Sequence, residues 1–185
     1  PPHVLHLECL RCMVCGEGVT CTNTGDDSAP VFLVRNNNQQ DGHRYALGGS
    51  ALSSGNAWKV EARSLDNRWV ALGIIGCDDP TSTPNTHRSR TCYSWASNPN
   101  QVWVDGCEHQ GLDGWSGWQV GDTAIMRLDS DRQALRMHHQ RLDRTFEITG
   151  LPVHVQYRVH VNLHGAGDCI LLSQATQAEA AQVGA

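Results

Sequence analysis

Four cysteines and a histidine near the start of the chain are the residues best suited to chemistry. They follow the spacing His6-x2-Cys9-x2-Cys12-x2-Cys15, with Cys21 within reach. Zinc prefers thiolate and imidazole ligands, and a Cys-x2-Cys step lets two thiolates converge on one ion. The spacing therefore predicts a structural zinc site built by Cys9, Cys12, Cys15 and either Cys21 or His6. The alternative is a set of half-buried thiols in an N-terminal strand or turn.

Two further groups of polar residues are interpreted as structural. Asp129 and Asp131 lie where a turn between two strands is expected, and Asp favours turns on its own account. His154, His160 and His164 share one face of a strand, where same-face neighbours are about 7 Å apart, so they are too widely spaced to chelate one ion. They predict a solvated strand face. The sequence contains no nucleophile elbow, phosphate-binding loop or His-Glu-x-x-His pattern, which predicts a protein that is not an enzyme.

Three predicted loops, at 77–92, 96–101 and 107–117, contain or adjoin aromatic and arginine side chains. Trp, Tyr and Arg are the residues most enriched among interface hot spots. An exposed aromatic ring also buries a large area at low entropic cost. The predicted partner-binding residues are Arg88, Arg90, Tyr93, Trp95, Trp103 and Trp115. The alternative for each ring is packing that holds its own loop against the domain.

Composition and patterning favour many short strands over a helical bundle. The 185 residues include 18 Gly, 7 Pro and 6 Trp but only 2 Phe, and short apolar runs are separated by turn residues. From 153 to 163 apolar residues alternate with polar ones, so one face of this strand is buried. We expect one all-β domain with a Cys-rich extension at 1–30 and a flexible tail at 173–185.

A series of short motifs resembles the SPRY (B30.2) family in order and spacing. The motifs are Leu52-Ser53-Ser54-Gly55, Trp58-Lys59-Val60-Glu61, Trp69-Val70-Ala71-Leu72-Gly73, Trp118-x-x-Gly121-Asp122 with the strand after it, and the late strand at 155–163. The chain departs from the family at His138-His139-Gln140-Arg141, which replaces an Asn-Gly hairpin tip. The resemblance covers residues 31–172 and implies an antiparallel two-sheet β-sandwich of the concanavalin-type jelly-roll form.

The resemblance also implies a function. SPRY domains are mostly binding modules, and many of them select the substrate of a ubiquitin ligase. Loops at one rim of the sandwich would then recognise a partner protein or peptide, while Trp58 and Trp69 would lie in the core. A lectin-like carbohydrate-binding or glycan-processing sandwich is the alternative, because its two-sheet shape is similar. The N-terminal Cys/His segment resembles the middle of a LIM domain, but the cysteine pair that should follow it is missing.

Charge and hydropathy argue against two classes of partner. The formal net charge of -5 gives no overall attraction to nucleic acid or to anionic lipid. No run approaches the roughly 20 apolar residues of a membrane helix, and Pro1-Pro2-His3 shows no secretory signal. Half of the cysteines crowd between Cys9 and Cys21, unlike a disulfide framework spread over a sandwich. A reducing compartment, and hence a cytoplasmic location, is therefore expected.

Overall fold

The chain folds into two seven-stranded antiparallel sheets that share one hydrophobic core. The computed structural model describes residues 9–66 and 69–184. In chain order the strands are β1 (Met13–Cys15), β2 (Val19–Asn23), β3 (Val31–Asn36), β4 (Arg44–Gly48), β5 (Ala57–Ser64), β6 (Val70–Gly76), β7 (Tyr93–Ala96), β8 (Gln101–Val104), β9 (Cys107–Gln110), β10 (Thr123–Asp129), β11 (Ala134–His139), β12 (Arg144–Thr149), β13 (Tyr157–Leu163) and β14 (Cys169–Gln174). Two short 3-10 helices, at Thr86–Arg88 and Leu112–Gly114, and one α-helix, α1 (Gln177–Gly184), complete the described part.

The strand order confirms the predicted β-sandwich. The first sheet runs β1-β4-β13-β6-β7-β8-β9, and the second runs β12-β11-β10-β5-β14-β3-β2. Neighbouring strands are antiparallel in both sheets. Within the described residues, no helix has the length and apolar character needed to span a membrane.

Strand β6 shows how the first sheet is buried on both faces. Val70, Leu72 and Ile74 belong to the main core, whereas Ala71 and Ile75 belong to separate clusters on the opposite face. This division follows the two-residue alternation of a strand. Every residue of β6 is buried, so the outer face of the first sheet must be covered as well. The covering segment is the loop at 77–91, which we call the covering loop.

The Cys-rich N-terminal segment adds one edge strand to each sheet. Strand β1 pairs with β4 of the first sheet, and β2 pairs with β3 of the second. A disulfide between Cys15 and Cys21 joins these two edge strands. Cys9 and Leu10 reach into the main core. The described part of the segment is therefore continuous with the sandwich and does not form a separate module.

The C-terminal tail, expected to be flexible, forms a docked helix. Helix α1 begins with a capping box, in which the Glu179 backbone N–H donates to Thr176 Oγ1 and the Thr176 N–H donates to Glu179 Oε2. Val183 is fully buried in a small cluster that includes Ile125 of β10. Lys59 Nζ lies 3.0 Å from Glu179 Oε1. The cap, the apolar contact and the ion pair together hold the helix against the second sheet.

Replacing Val183 with Ala should lower the free energy of unfolding by about 1–2 kcal/mol, because two buried methyl groups are lost. Urea titration of the full chain measures this quantity. The matched control is Gln182→Ala, an exposed position on the same helix, which should leave the unfolding midpoint unchanged. Equal midpoints for Val183→Ala and the parent chain would show that the helix is undocked in solution.

Candidate functional site

Two tryptophans project from the outer face of the first sheet, away from the main core. Trp69 precedes β6 and Trp103 lies in β8, and both pack with Ala71 and Ala96 in a separate cluster. The register of the sheet fixes this placement, because Trp103 pairs with Ser94 on β7. Side chains opposite each other in an antiparallel pair share one face. The outer face of the sheet thus carries two large rings beneath the covering loop.

The covering loop is fastened to the sheet by polar side chains of β13. Asn162 Nδ2 donates to the Thr86 hydroxyl and to the Pro84 carbonyl, each at 2.8 Å. The Thr86 hydroxyl lies 2.7 Å from His160 Nε2. Because this hydroxyl accepts from Asn162, its own hydrogen is available for His160, whose ring N–H then faces Cys92 Sγ at 3.5 Å. The expected solvated face of this strand is instead buried, since His160 and Asn162 are fully covered.

A tight turn supports the covering loop from the side. Asp105 and Gly106 join β8 to β9, with positive φ angles of 54° and 70°, as a two-residue hairpin turn of the Asp-Gly type requires. A Cβ atom on Gly106 would lie 2.5 Å from the Arg88 carbonyl oxygen. Only glycine therefore allows this turn to approach the loop so closely. The approach fixes the backbone from which Arg88 projects.

Beneath the covering loop lies a partly open cavity of about 270 Å³. We call it the Trp–His pocket. Its lining residues are His43, Trp69, His87, Arg88, Asn98, Gln101, Trp103, Glu108 and His164. They come from the β3–β4 connection, the start of β6, the covering loop, the β7–β8 turn, β8, β9 and the end of β13. The pocket therefore depends on the relative placement of chain segments distant in sequence.

The rings of the pocket pack against one another. The His43 ring centroid lies 4.6 Å from that of Trp69, 4.4 Å from His87 and 4.6 Å from His164. His87 also lies 4.8 Å from Trp103. These separations fall at or near the range of favourable aromatic contacts. The pocket wall is thus a packed ring cluster with little freedom to rearrange.

Backbone and side-chain hydrogen bonds set the positions of His43 and His164. The Gly42 N–H donates to the His164 carbonyl at 2.8 Å, which joins the two loops. The fully buried Asp168 accepts from the backbone N–H groups of His164 and Gly165. His43 Nδ1 lies 3.0 Å from Asn162 Oδ1 and, facing an amide oxygen, is the donor. Asn162 thereby connects the pocket to the fastening of the covering loop.

Burial keeps His43 and His87 of the pocket uncharged at neutral pH. Desolvation lowers the pKa of His87 to about 3, and the electrostatic influence of His43, His160 and Arg88 acts in the same direction. Desolvation likewise lowers the pKa of His43, although its bond to Asn162 opposes the shift. The imidazoles of His43 and His87 therefore act at neutral pH as neutral hydrogen-bonding rings.

The polar groups of the pocket divide into bonded and unbonded ones. Trp69 Nε1 donates to Gln101 Oε1 at 3.0 Å, and Gln101 Nε2 donates to Glu108 Oε1 at 2.9 Å. By contrast, Trp103 Nε1 and His87 Nδ1 are buried without a hydrogen-bond partner among the described residues. The Arg88 guanidinium lies 6.0 Å from the centroid of the Trp103 ring. The pocket thus offers hydrogen-bonding groups that the described chain does not use.

The structure divides the predicted partner-binding residues into two groups. Arg88 and Trp103 line the Trp–His pocket, and Arg90 is exposed on the same loop but outside the lining. The structure corrects the prediction for Tyr93, Trp95 and Trp115. All three side chains are at most 3% exposed and lie in the main core. Their side chains are not available to a partner.

The two core tryptophans of the 107–118 region anchor strand β7. Trp115 Nε1 donates to the Ala96 carbonyl at 2.7 Å, and Trp118 Nε1 donates to the Trp95 carbonyl at 2.8 Å. Because each indole satisfies a backbone acceptor while filling the core, both rings serve the fold. Trp115 and Trp118 therefore attach their own loop to the domain. This is the alternative that the sequence left open, in which the ring packs the loop against the domain.

The Gly-Asp motif that follows Trp118 holds the same region together through a buried ionic network. The carboxylate of Asp122 is 2% exposed and lies 2.6 Å from Arg141 Nε and 3.0 Å from His139 Nε2. Burial opposes ionisation of Asp122, but the hydrogen bonds from Arg141 and from the Gln119 backbone hold the pKa of the carboxyl below its usual value. The network ties the loop before β10 to the β11–β12 hairpin.

The predicted zinc ligands do not converge in the described part of the chain. Cys15 and Cys21 form a disulfide, and Cys12 is exposed. Cys9 is buried, its thiol donates to Gln174 Oε1, and burial raises its pKa to about 12, opposite to the thiolate that zinc requires. His6 lies outside the described residues. Among the described residues, no three His, Cys, Asp or Glu side chains form a group able to hold a metal ion.

Several pocket residues were not among those predicted from the sequence. They are His43, Trp69, His87, Asn98, Gln101, Glu108 and His164. Trp69 was expected in the core beside Trp58, but it lies in a separate cluster on the outer face. Strand parity, which places Trp69 on the face opposite Val70 and Leu72, was the one available signal. The remaining residues come together only through the long-range contacts of the covering loop.

Acid should weaken the fold through the buried histidines. Burial lowers the pKa of His160 and of His87 to about 3, whereas the unfolded chain takes up protons near pH 6.5. The contribution of these two histidines to the free energy of unfolding is therefore fully present above pH 6.5. It is lost as the pH falls, by at most about 2–3 kcal/mol per histidine at pH 4.5. Urea unfolding between pH 7.5 and about 4.5 measures the slope, which His160→Gln should reduce.

The control for this measurement is His109→Gln on the exposed strand β9, which should keep the slope of the parent chain. A slope for His160→Gln equal to that of the parent would contradict the burial of a neutral imidazole at this position.

Comparison with known proteins agrees with the architecture. No family model matches the sequence, and no curated protein matches it. Among solved structures, the SPRY domain of human HERC1 has a TM-score of 0.61 at 13% identity, covering 89% of this chain and 99% of that one. The TRIM65 PSpry domain has a TM-score of 0.55 at 16% identity, covering 93% and 90%. The carbohydrate recognition domain of Emp46p has a TM-score of 0.53 at 10% identity, covering 87% and 86%.

These likenesses concern the fold. The two SPRY domains have higher TM-scores than the carbohydrate recognition domain, and none of the three is a LIM domain. The resemblance of residues 31–172 to SPRY domains is confirmed at this level. The chain has the two-sheet β-sandwich fold of SPRY domains.

Proposed function

We propose that this chain is a protein-interaction module that binds a segment of a partner protein at the Trp–His pocket. The observation that carries the proposal is the pocket itself, where Trp103 and Arg88 stand together on a packed wall beneath the covering loop. Trp and Arg are among the residues that most often dominate binding energy. A wall that is already ordered also lowers the entropic cost of binding.

The likeness to SPRY domains supports the same kind of function. As the finer role, we propose substrate selection or scaffolding within a larger complex such as a ubiquitin ligase, which rests on the resemblance of the sequence. The partner is a protein or peptide, in keeping with the net charge of -5, which gives no general attraction to nucleic acid or anionic membranes.

We propose that the domain binds without performing a reaction. The pair that comes nearest to a nucleophile and its base is Cys92 with His160, whose Sγ and Nδ1 atoms are 3.5 Å apart. Both side chains are fully buried beneath the covering loop, and burial raises the pKa of the Cys92 thiol to about 12. A reactive cysteine requires an accessible thiolate. The arrangement of Cys92 and His160 supports a structural role for the pair.

The cytoplasmic location stays a prediction. A disulfide such as Cys15–Cys21 is favoured in oxidising compartments. In the cytoplasm this pair would be reduced, and β1 and β2 would be held by their hydrogen bonds to β4 and β3 and by the packing of Met13 and Val19 on the core.

Selection from a displayed library of random peptides tests the binding proposal. Peptides selected on the parent chain should lose at least about tenfold in affinity with Arg88→Ala, a loss of about 1.4 kcal/mol. Trp103→Ala should weaken them as well. Fluorescence anisotropy with labelled peptides measures both effects.

The matched control is Arg90→Ala, since Arg90 is exposed on the same loop but does not line the pocket. Its affinity for the selected peptides should equal that of the parent. Failure to select any peptide, or equal losses with Arg88→Ala and Arg90→Ala, would contradict the proposal. Binding to a glycan array that is lost with Arg88→Ala would favour the lectin-like alternative.

A further inference from the structure

The Trp–His pocket has a hydrogen-bond donor that lacks an acceptor. Trp103 is 5% exposed, and its Nε1 atom has no partner among the described residues. An indole N–H can only donate. A buried polar group left unsatisfied is destabilising, so an acceptor placed beside Trp103 would remove that penalty. The neighbouring His87 Nδ1 is also unpartnered, and it donates in one of the two neutral tautomers.

Arg88 supplies positive charge at the same place. Its side chain lies over the Trp103 ring at 6.0 Å. None of the ion pairs formed within the described part of the chain involves it. A guanidinium presents five donors in a fork that matches a carboxylate or a phosphate. Arg88 and Trp103 together therefore call for a negatively charged acceptor.

The carboxylate that lines the pocket, Glu108, forms no ion pair with Arg88 and no hydrogen bond with Trp103 Nε1 among the described residues. Glu108 Oε1 accepts from Gln101 Nε2 at 2.9 Å and also from Gln110 Nε2. Gln101 is itself held by the indole of Trp69. This chain of bonds holds Oε1 of Glu108 at amide groups of β8 and β9. The donors at Trp103 and Arg88 remain for a molecule from outside.

The size of the pocket limits what that molecule can be. Its volume of about 270 Å³ lies just below the range of about 300–1,000 Å³ that is usual for small-molecule sites. The pocket is therefore suited to one side chain of a longer partner whose remaining residues lie on the surrounding loops.

We propose that the Trp–His pocket binds the carboxylate of a Glu or Asp side chain in an acidic peptide segment, which pairs with Arg88 and accepts from Trp103 Nε1. This inference rests on the proposed function and names the chemistry of the partner.

The test uses the tightest peptide selected on the full chain. Each Glu or Asp of that peptide is replaced in turn by Gln or Asn. At one position the affinity should fall by at least about tenfold, and Arg88→Gln should cause a similar loss for the original peptide. Combining the two changes should add little further loss, because they remove the same contact. Trp103→Phe, which keeps a ring and removes the N–H, should weaken binding about fivefold, in line with one hydrogen bond.

Control measurements separate the possible sources of the negative charge. Arg90→Gln should leave the affinity unchanged. Amidation of the C-terminus of the peptide should also have no effect, whereas a loss on amidation would assign the pocket to a terminal carboxylate and overturn the side-chain assignment. Replacing the critical Glu with phosphoserine would overturn it too if the affinity rose by more than about tenfold.

The outcomes distinguish this inference from the function on which it rests. If no peptide can be selected, both the binding function and the acidic specificity are wrong. If peptides bind at the pocket but no acidic position matters, the binding function holds and the assignment of a carboxylate is wrong.

Discussion

The fastening of the covering loop to β13 is the interaction on which the rest of the site depends. The Thr86 hydroxyl lies between Asn162 and His160, and all three side chains are buried on the outer face of the first sheet. Without this contact the loop would lose two of its hydrogen bonds to β13 and keep the bond from Asn162 to the Pro84 carbonyl. His87 and Arg88 would then be held less firmly above Trp103. The Trp–His pocket is a consequence of how this loop is held.

The cost of burying polar groups explains why the fastening is specific. Burying a histidine or asparagine costs free energy for each polar atom left unpaired. Asn162 uses its amide nitrogen for Pro84 and Thr86 and its amide oxygen for His43. One residue thus links the loop, the strand and the pocket wall. Beside this satisfied network, two atoms of residues that line the pocket, Trp103 Nε1 and His87 Nδ1, lack a partner among the described residues.

The sequence predicted the features that depend on local pattern. Alternation along 153–163 predicted a strand, and its later part is β13 (Tyr157–Leu163). Val153 and His154 lie instead in an exposed turn. The ordered motifs identified the SPRY fold. Trp95 and Trp103 show where this kind of reasoning stops, since both were assigned to binding although they face opposite sides of the sheet. Their registers, Trp95 with Val102 and Trp103 with Ser94, decide the matter, and a shift of one residue would exchange the two faces.

Features that depend on distant contacts could not be predicted from the pattern. The contact of Thr86 with His160 joins residues 74 positions apart. Because the sequence pattern does not show this contact, it predicted that one face of β13 would be solvated. The helix at the C-terminus did have a local signal in Thr176 and Glu179, a capping box that its small, polar composition outweighed. The cysteine spacing predicted zinc from its Cys-x2-Cys steps. It carries no information on the pairing of Cys15 with Cys21, which the structure joins in a disulfide.

The most direct measurement is amide hydrogen exchange of the covering loop in the parent chain and in Thr86→Val, which removes the hydroxyl and keeps the shape. Loss of the fastening should speed exchange at Arg88, Ser89 and Cys92 by about tenfold or more, because buried partners of the hydroxyl are left unsatisfied. Exchange in β10 and β11 of the second sheet should not change. Unchanged protection of the loop, or an equal loss throughout the domain, would contradict the account.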